Sequence, residues 1–239
     1  MFLAVWILYA ADRLLDGMAG TVQDLEARHR FHRCHSRRFG MALVAASFCL
    51  VPLVLAMPTG LLKLYIELAV LLAAWLFAVH MLARSHFFTP PKELMPSLFF
   101  AAAVFLPVWE KTGFNRPGPA LAATCYALLV MLNCLFIYAW EHIELASAHW
   151  TTRLGVRSLK ELGLATILLS LLAIPFASEP IAPVFIAVGL AAALLLGLNQ
   201  FRGAMRPTNL RAASDLVLLT PLVIAPFLRW PFLQWPFLQ

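Results

Sequence analysis

"GPALAATCYALLVMLNCLFIYAW", residues 118–140, runs for 23 residues without a charged side chain. About 20 apolar residues cross a bilayer as an α-helix, because only a helix or a closed barrel satisfies every backbone N–H and C=O inside hydrocarbon. The apolar residues do not alternate with polar ones, which excludes a barrel strand. The rest of the chain repeats the pattern. Of 239 residues, 62% are hydrophobic and 13% charged, against roughly 45–50% and about 25% in soluble domains. Comparable runs at 41–58, 61–83, 93–110, 161–178, 181–199 and 212–228 bring the total to seven full spans. The expected fold is all-α, a polytopic transmembrane helical bundle forming one transmembrane domain over 1–239.

Residues 1–11, MFLAVWILYAA, are apolar but about half the length of a span, and they read as the inner half of a helix. A cleaved signal peptide is excluded, since the segment lacks a basic opening and runs directly into Asp12 and Arg13. The missing outer half predicts an in-frame upstream start.

The connections sort by charge. Segments 13–38, 84–92, 153–160 and 202–211 carry six, two, three and three Lys or Arg, and seven spans put all four on one side. The other side keeps Lys63, Lys111, Arg116 and Arg229. The positive-inside rule assigns the basic loops to the cytoplasm. The net charge of +6 therefore reports topology and contact with anionic membrane lipids, and no nucleic-acid partner is expected.

Outward from the opening stretch, the 118–140 run ends in Glu141 and Glu144. These are three apart and share a helical face, with Asn133 eight residues before Glu141 near that face. The first apolar segment likewise ends in two acids, Asp12 and Asp16, four apart. Four crossings separate the pairs, an even number, so both return to the cytoplasmic face. Neighbouring carboxylates repel. A divalent cation between them reverses that cost, and Mg²⁺ favours one or two carboxylates completed by phosphate oxygens and water. The competing readings are a solvated helix end neutralised by Arg13, and an interfacial cap with Trp140 and His142 in the headgroup layer.

Between the pairs lies EARHRFHRCHSRRF, residues 26–39, holding Arg28, Arg30, Arg33, Arg37 and Arg38. Guanidinium groups bind phosphate through paired planar hydrogen bonds, so the loop suits a diphosphate beside a metal. It suits anionic lipid equally. A zinc site from His29, His32 and His35 fits poorly, because ligands every third residue miss the i, i+4 spacing of helical zinc motifs. Asp215 lies about a turn inside the last run, four residues after Arg211. An ion pair with Arg211 is the expected arrangement, and a place in a polar cavity the alternative. Cys34, Cys49, Cys125 and Cys134 show no CxxC spacing and read as small core residues. The tandem WPFLQ of 230–239 would suit the outer membrane interface.

Acids at the cytoplasmic end of one span, then four crossings, then acids at the end of another: this order resembles the UbiA-like membrane prenyltransferases. DRLLD of residues 12–16 stands where that family has its first Asp-rich motif and EHIE of 141–144 where it has the second. The alignment makes 1–12 the remainder of the second of nine helices and leaves the chain without the first. PKEL of 91–94 is similar to a stretch such proteins carry there. Leu8 replaces the family's usual asparagine, and the second pair is closer spaced than usual. The resemblance implies Mg²⁺ held by Asp12, Asp16, Glu141 and Glu144 as the catalytic acids. It also implies a prenyl diphosphate met by Arg28, Arg30 and Arg33, polar cavity residues Asn133 and Asp215, and an aromatic or lipid-like quinone-precursor acceptor. The reading from another class is a non-catalytic membrane subunit or lipid-binding scaffold using its polybasic loop.

Overall fold

The computed structural model describes residues 3, 4, 6, 7, 10, 11, 14, 35–82, 94–113, 116–142, 149–177 and 181–221. They are all helix and connection, with no strand among the described residues. Six described helices are long and apolar enough to cross a membrane. The chain divides into two compact units, Met1–Lys63 and Leu64–Gln239.

In the first unit, α1 (Ser36–Leu55) carries Pro52 in its last turn. Met41, Val44, Phe48, Val51, Leu53 and Leu55 are all exposed. A helix apolar all round fits lipid surroundings. Cys49 lies on this exposed surface, so the expectation of four core cysteines fails here. Cys125 is buried as expected and Cys134 half-buried. The unit boundary falls inside α2 (Thr59–Leu82).

The second unit begins with the remainder of α2, where the Tyr65 hydroxyl donates to the Ala103 carbonyl at 2.9 Å on α3 (Leu94–Thr112). α3 turns into α4 (Pro117–Glu141) through Gly113, whose φ of 82° is the left-handed conformation glycine adopts without a Cβ penalty. Gly113 N–H closes the helix end on the Trp109 carbonyl at 2.8 Å. Pro117 then opens α4 at a position where its missing N–H costs nothing. Phe100, Phe105 and Tyr126 pack their rings across this hairpin at centroid distances of 6.1 Å.

α4 is the central helix. More than half of its apolar stretch is buried, against none in α1 or α2. Leu129, Leu132 and Phe136 meet Phe185, Val188 and Leu195 of α7 (Ala182–Gln200) in the core. Between them in sequence lie a short α5 (Trp150–Arg157) and α6 (Leu159–Ala173). Pro175 converts the end of the expected 161–178 run into a 3₁₀ turn over Ile174–Phe176.

α6 meets α7 along buried small residues, Gly163, Thr166, Ser170 and Ala173. Their three- and four-residue spacing forms one stripe, and small residues let helix backbones approach closely in lipid. A Cβ on Gly163 would stand 2.8 Å from Leu196 Cγ and Cδ2. Thr166 and Ser170 donate back to the Leu162 and Thr166 carbonyls, each at 2.8 Å, so the stripe buries no unsatisfied hydroxyl. The expected seventh span, 212–228, is not among the six: what is described of it belongs to α8 (Pro207–Val217), an eleven-residue helix that opens at another N-terminal proline. The described residues end at 221, short of the expected limit of this span at 228.

Candidate functional site

The ends of α4 and α7 and the starts of α6 and α8 meet at one end of the second unit. This is the end that carries Lys160, Arg202, Arg206 and Arg211. At the last turn of α4 the Trp140 indole N–H donates to Asn199 Oδ1 of α7 at 2.9 Å. Phe136 stacks beneath Trp140 at 5.5 Å. His142 stacks on Tyr138 at 4.1 Å, as residues four apart on a helix can, with Nδ1 3.2 Å from the Tyr138 carbonyl.

Glu141, the last residue of α4, receives a hydrogen bond from Arg211 Nη1 at 3.2 Å. Both side chains are about four-fifths buried, at 20% and 23% exposed. Asp215, one turn along α8 from Arg211, feels the fields of both Arg211 and Glu141 and lies within hydrogen-bonding reach of the Asn133 side chain. The expected Arg211–Asp215 pairing is thus present as an electrostatic neighbour, while the guanidinium bonds directly to Glu141. α4 and α8 run antiparallel here, which brings residues 141 and 211, and 133 and 215, together.

Asn133 is 4% exposed, and its Oδ1 has no hydrogen-bond partner among the described residues. A buried carbonyl left unpaired costs on the order of 1–3 kcal/mol. Asn133→Leu removes that acceptor at nearly constant volume. The variant is expected to melt at or above the wild-type temperature in detergent, read by differential scanning fluorimetry. A fall of more than about 5 °C would mean that the amide's reach to Asp215 fastens α4 to α8.

Asp215 thus lies near both Asn133 and Glu141, which themselves stand eight residues, about 12 Å, apart along α4. Asp12, Asp16, Glu144, Arg28, Arg30 and Arg33 lie outside the described residues. Among the described residues no group of three or more His, Cys, Asp or Glu gathers. Glu141 and Asp215 supply carboxylate oxygens, the ligand type Mg²⁺ prefers, and a full ligand set would need residues outside the described ones. Arg37 and Arg38, exposed in the first turn of α1, line a cleft of about 460 Å³ with His35 and Met41 in the first unit.

The sequence reading missed two links. Arg211–Glu141 joins residues 70 apart and Trp140–Asn199 residues 59 apart. No local spacing signals either. The nearest hint was a surplus of polar residues at the ends of spans facing one side. No protein-family model, curated protein or solved structure matches the chain.

Proposed function

We propose that the chain is a Mg²⁺-dependent membrane prenyltransferase similar to the UbiA-like enzymes, moving a prenyl group from its diphosphate to an aromatic or quinone-precursor acceptor. The observation that supports this most is Asp215 of α8 lying near both Asn133 and Glu141 of α4, three residues chosen from sequence, towards one end of an otherwise apolar bundle. An ionisable group at membrane depth is a functional hypothesis by default. Two on one helix pair, beside an orphaned amide oxygen, strengthen it.

In this reading Glu141 and Glu144, with Asp12 and Asp16, hold magnesium, which supplies charge stabilisation for the leaving diphosphate. Arg28, Arg30 and Arg33 grip the diphosphate oxygens through planar forks. The apolar core of α4 and α7 keeps water from the allylic carbon as its bond to oxygen lengthens. The site and the basic loops face the cytoplasm, as the charge distribution of the connections indicates.

The test follows radiolabelled farnesyl diphosphate into lipid-extractable products in membranes enriched in the full chain. Transfer is expected with Mg²⁺ and is expected to disappear in EDTA. A second reading, the lipid-binding scaffold, is favoured by the exposed Arg37 and Arg38 at the head of α1. It predicts no label transfer in either condition.

A further inference from the structure

The connection between α4 and α6 holds a two-turn helix with two dissimilar faces. α5 is pinned to α4 by its inner face: Thr152 and Gly155 are buried, and a Cβ on Gly155 would stand 2.7 Å from Leu135 Cδ1. Leu135 lies six residues, about 9 Å, before the end of α4. α5 therefore sits beside the last turns of a membrane span. Through Ser158 it passes directly into another, α6, whose Leu164, Leu168, Leu171 and Leu172 are exposed along one side. The outer face of α5 carries Trp150, Arg153, Leu154 and Arg157, spaced i, i+3, i+4 and i+7. All four are exposed, Trp150 at 60% and Leu154 at 57%. α5 itself contains no acid, and Lys160 and Glu161 follow it, exposed in the first turn of α6.

We infer that α5 is an interfacial helix whose outer face docks on the headgroup layer of an anionic leaflet. Two large apolar side chains beside two arginines suit neither flanking phase. Hydrocarbon would strand the guanidinium charges, and bulk water would leave the Trp150–Leu154 pair uncovered. The boundary between acyl chains and headgroups takes both. There Trp150 and Leu154 enter the acyl boundary, as the apolar face of an interfacial helix does. The arginine stems lie along the same apolar surface with their forks turned up to phosphate oxygens. Basic residues at that level draw anionic lipid. Arg153 and Arg157 supply two, Lys160 a third, and Glu161 offsets one. The occupant this charge fits is an anionic phospholipid in preference to a zwitterionic one. The inference needs neither magnesium nor a prenyl substrate, and it concerns a surface separate from the basic loop at 26–39. Docked in this way, α5 fixes the depth at which the last turns of α4 sit in the bilayer.

The test places the full chain in lipid nanodiscs and reads Trp150 emission as the difference between wild type and Trp150→Phe. The bilayers hold phosphatidylcholine and phosphatidylglycerol in fixed proportion, with bromines near the top of the acyl chains of one lipid or the other. Bromolipid is expected to quench Trp150 and aqueous acrylamide to spare it. At equal mole fraction, brominated phosphatidylglycerol is expected to quench at least ~2-fold more strongly than brominated phosphatidylcholine, because the arginines enrich it locally. Combining Arg153→Gln with Arg157→Gln should bring that ratio to about one. Arg116→Gln, exposed at the far end of α4, should leave it unchanged. Should the double variant fail to fold, raising the salt around wild type to about 1 M replaces it, and the ratio should again fall towards one as the attraction is screened. Trp150 quenched by acrylamide and not by bromolipid overturns the proposal, since the face then lies in water. Shielding from both quenchers overturns it as well, because a second copy of the chain then covers the face. Equal quenching by the two bromolipids in wild type overturns the assignment to anionic lipid.

Discussion

Asp12→Asn and Asp16→Asn are each expected to lower prenyl transfer by at least ~100-fold while leaving the protein folded. The substitution preserves shape and hydrogen-bonding capacity and removes one negative charge. If the two acids only ended a helix, losing a charge that its neighbour repels would cost nothing and could stabilise the metal-free protein slightly. If they hold magnesium, the leaving diphosphate loses part of the positive field that stabilises it, and a factor of 100 corresponds to about 2.7 kcal/mol. Glu141→Gln should behave like them. Glu179→Gln, in the connection assigned to the opposite side, should not. The measurement is label transfer from farnesyl diphosphate at matched protein levels, with folding checked by gel filtration in detergent. Equal rates in Asp12→Asn, Asp16→Asn and wild type would leave these acids without a catalytic role.

The second large effect concerns the bundle itself. Gly163→Val is expected to abolish most of the folded, monodisperse protein. Its Cβ would fall 2.8 Å from Leu196 Cγ, a branch point close to the α7 backbone that cannot swing clear as a chain end could. Overpacking of this kind costs about 1–3 kcal/mol and sometimes more, and the two methyls of valine add to the conflict. Gly197, also in α7, is the control: a Cβ there meets nothing within 4 Å, so Gly197→Val should remain folded. Fluorescence-detected size-exclusion profiles of the two variants separate the cases. Normal yield from Gly163→Val would mean that α6 and α7 can part without loss.

Six of the spans were legible because a run such as 118–140 carries its own evidence: length, absence of charge and absence of alternation. Its ends match Pro117–Glu141 to within a residue, since Pro117 and Glu141 themselves punctuate the sequence. α5 was not legible. Eight residues of mixed polarity with Thr152 and Gly155 buried and Trp150 and Leu154 exposed form a helix because His149 caps it and Gly155 seats against Leu135. That seat is a tertiary contact, invisible to local pattern. The same holds at the candidate site. Helical spacing put Asn133 near the face of Glu141, but the sequence could not show that α8 would lie alongside and deliver Arg211 to that carboxylate. Sequence spacing reads along a helix, and the site is built across three.

The burial of α4 bears on how the protein is made. Synthesis proceeds from the amino terminus and domains assemble as they emerge, so α4 enters the bilayer before α6, α7 and α8, which supply much of its covering, have been translated. Its uninterrupted apolar run lets it wait in lipid as an independent helix, the first of the two stages by which membrane bundles form. Asn133 waits with it, a single amide in hydrocarbon, until the last described helix brings Asp215 within reach. Biogenesis of the polar cluster is therefore a late event: a ribosome stalled before residue 207 would leave a nascent chain with its central helix inserted and its site still unassembled.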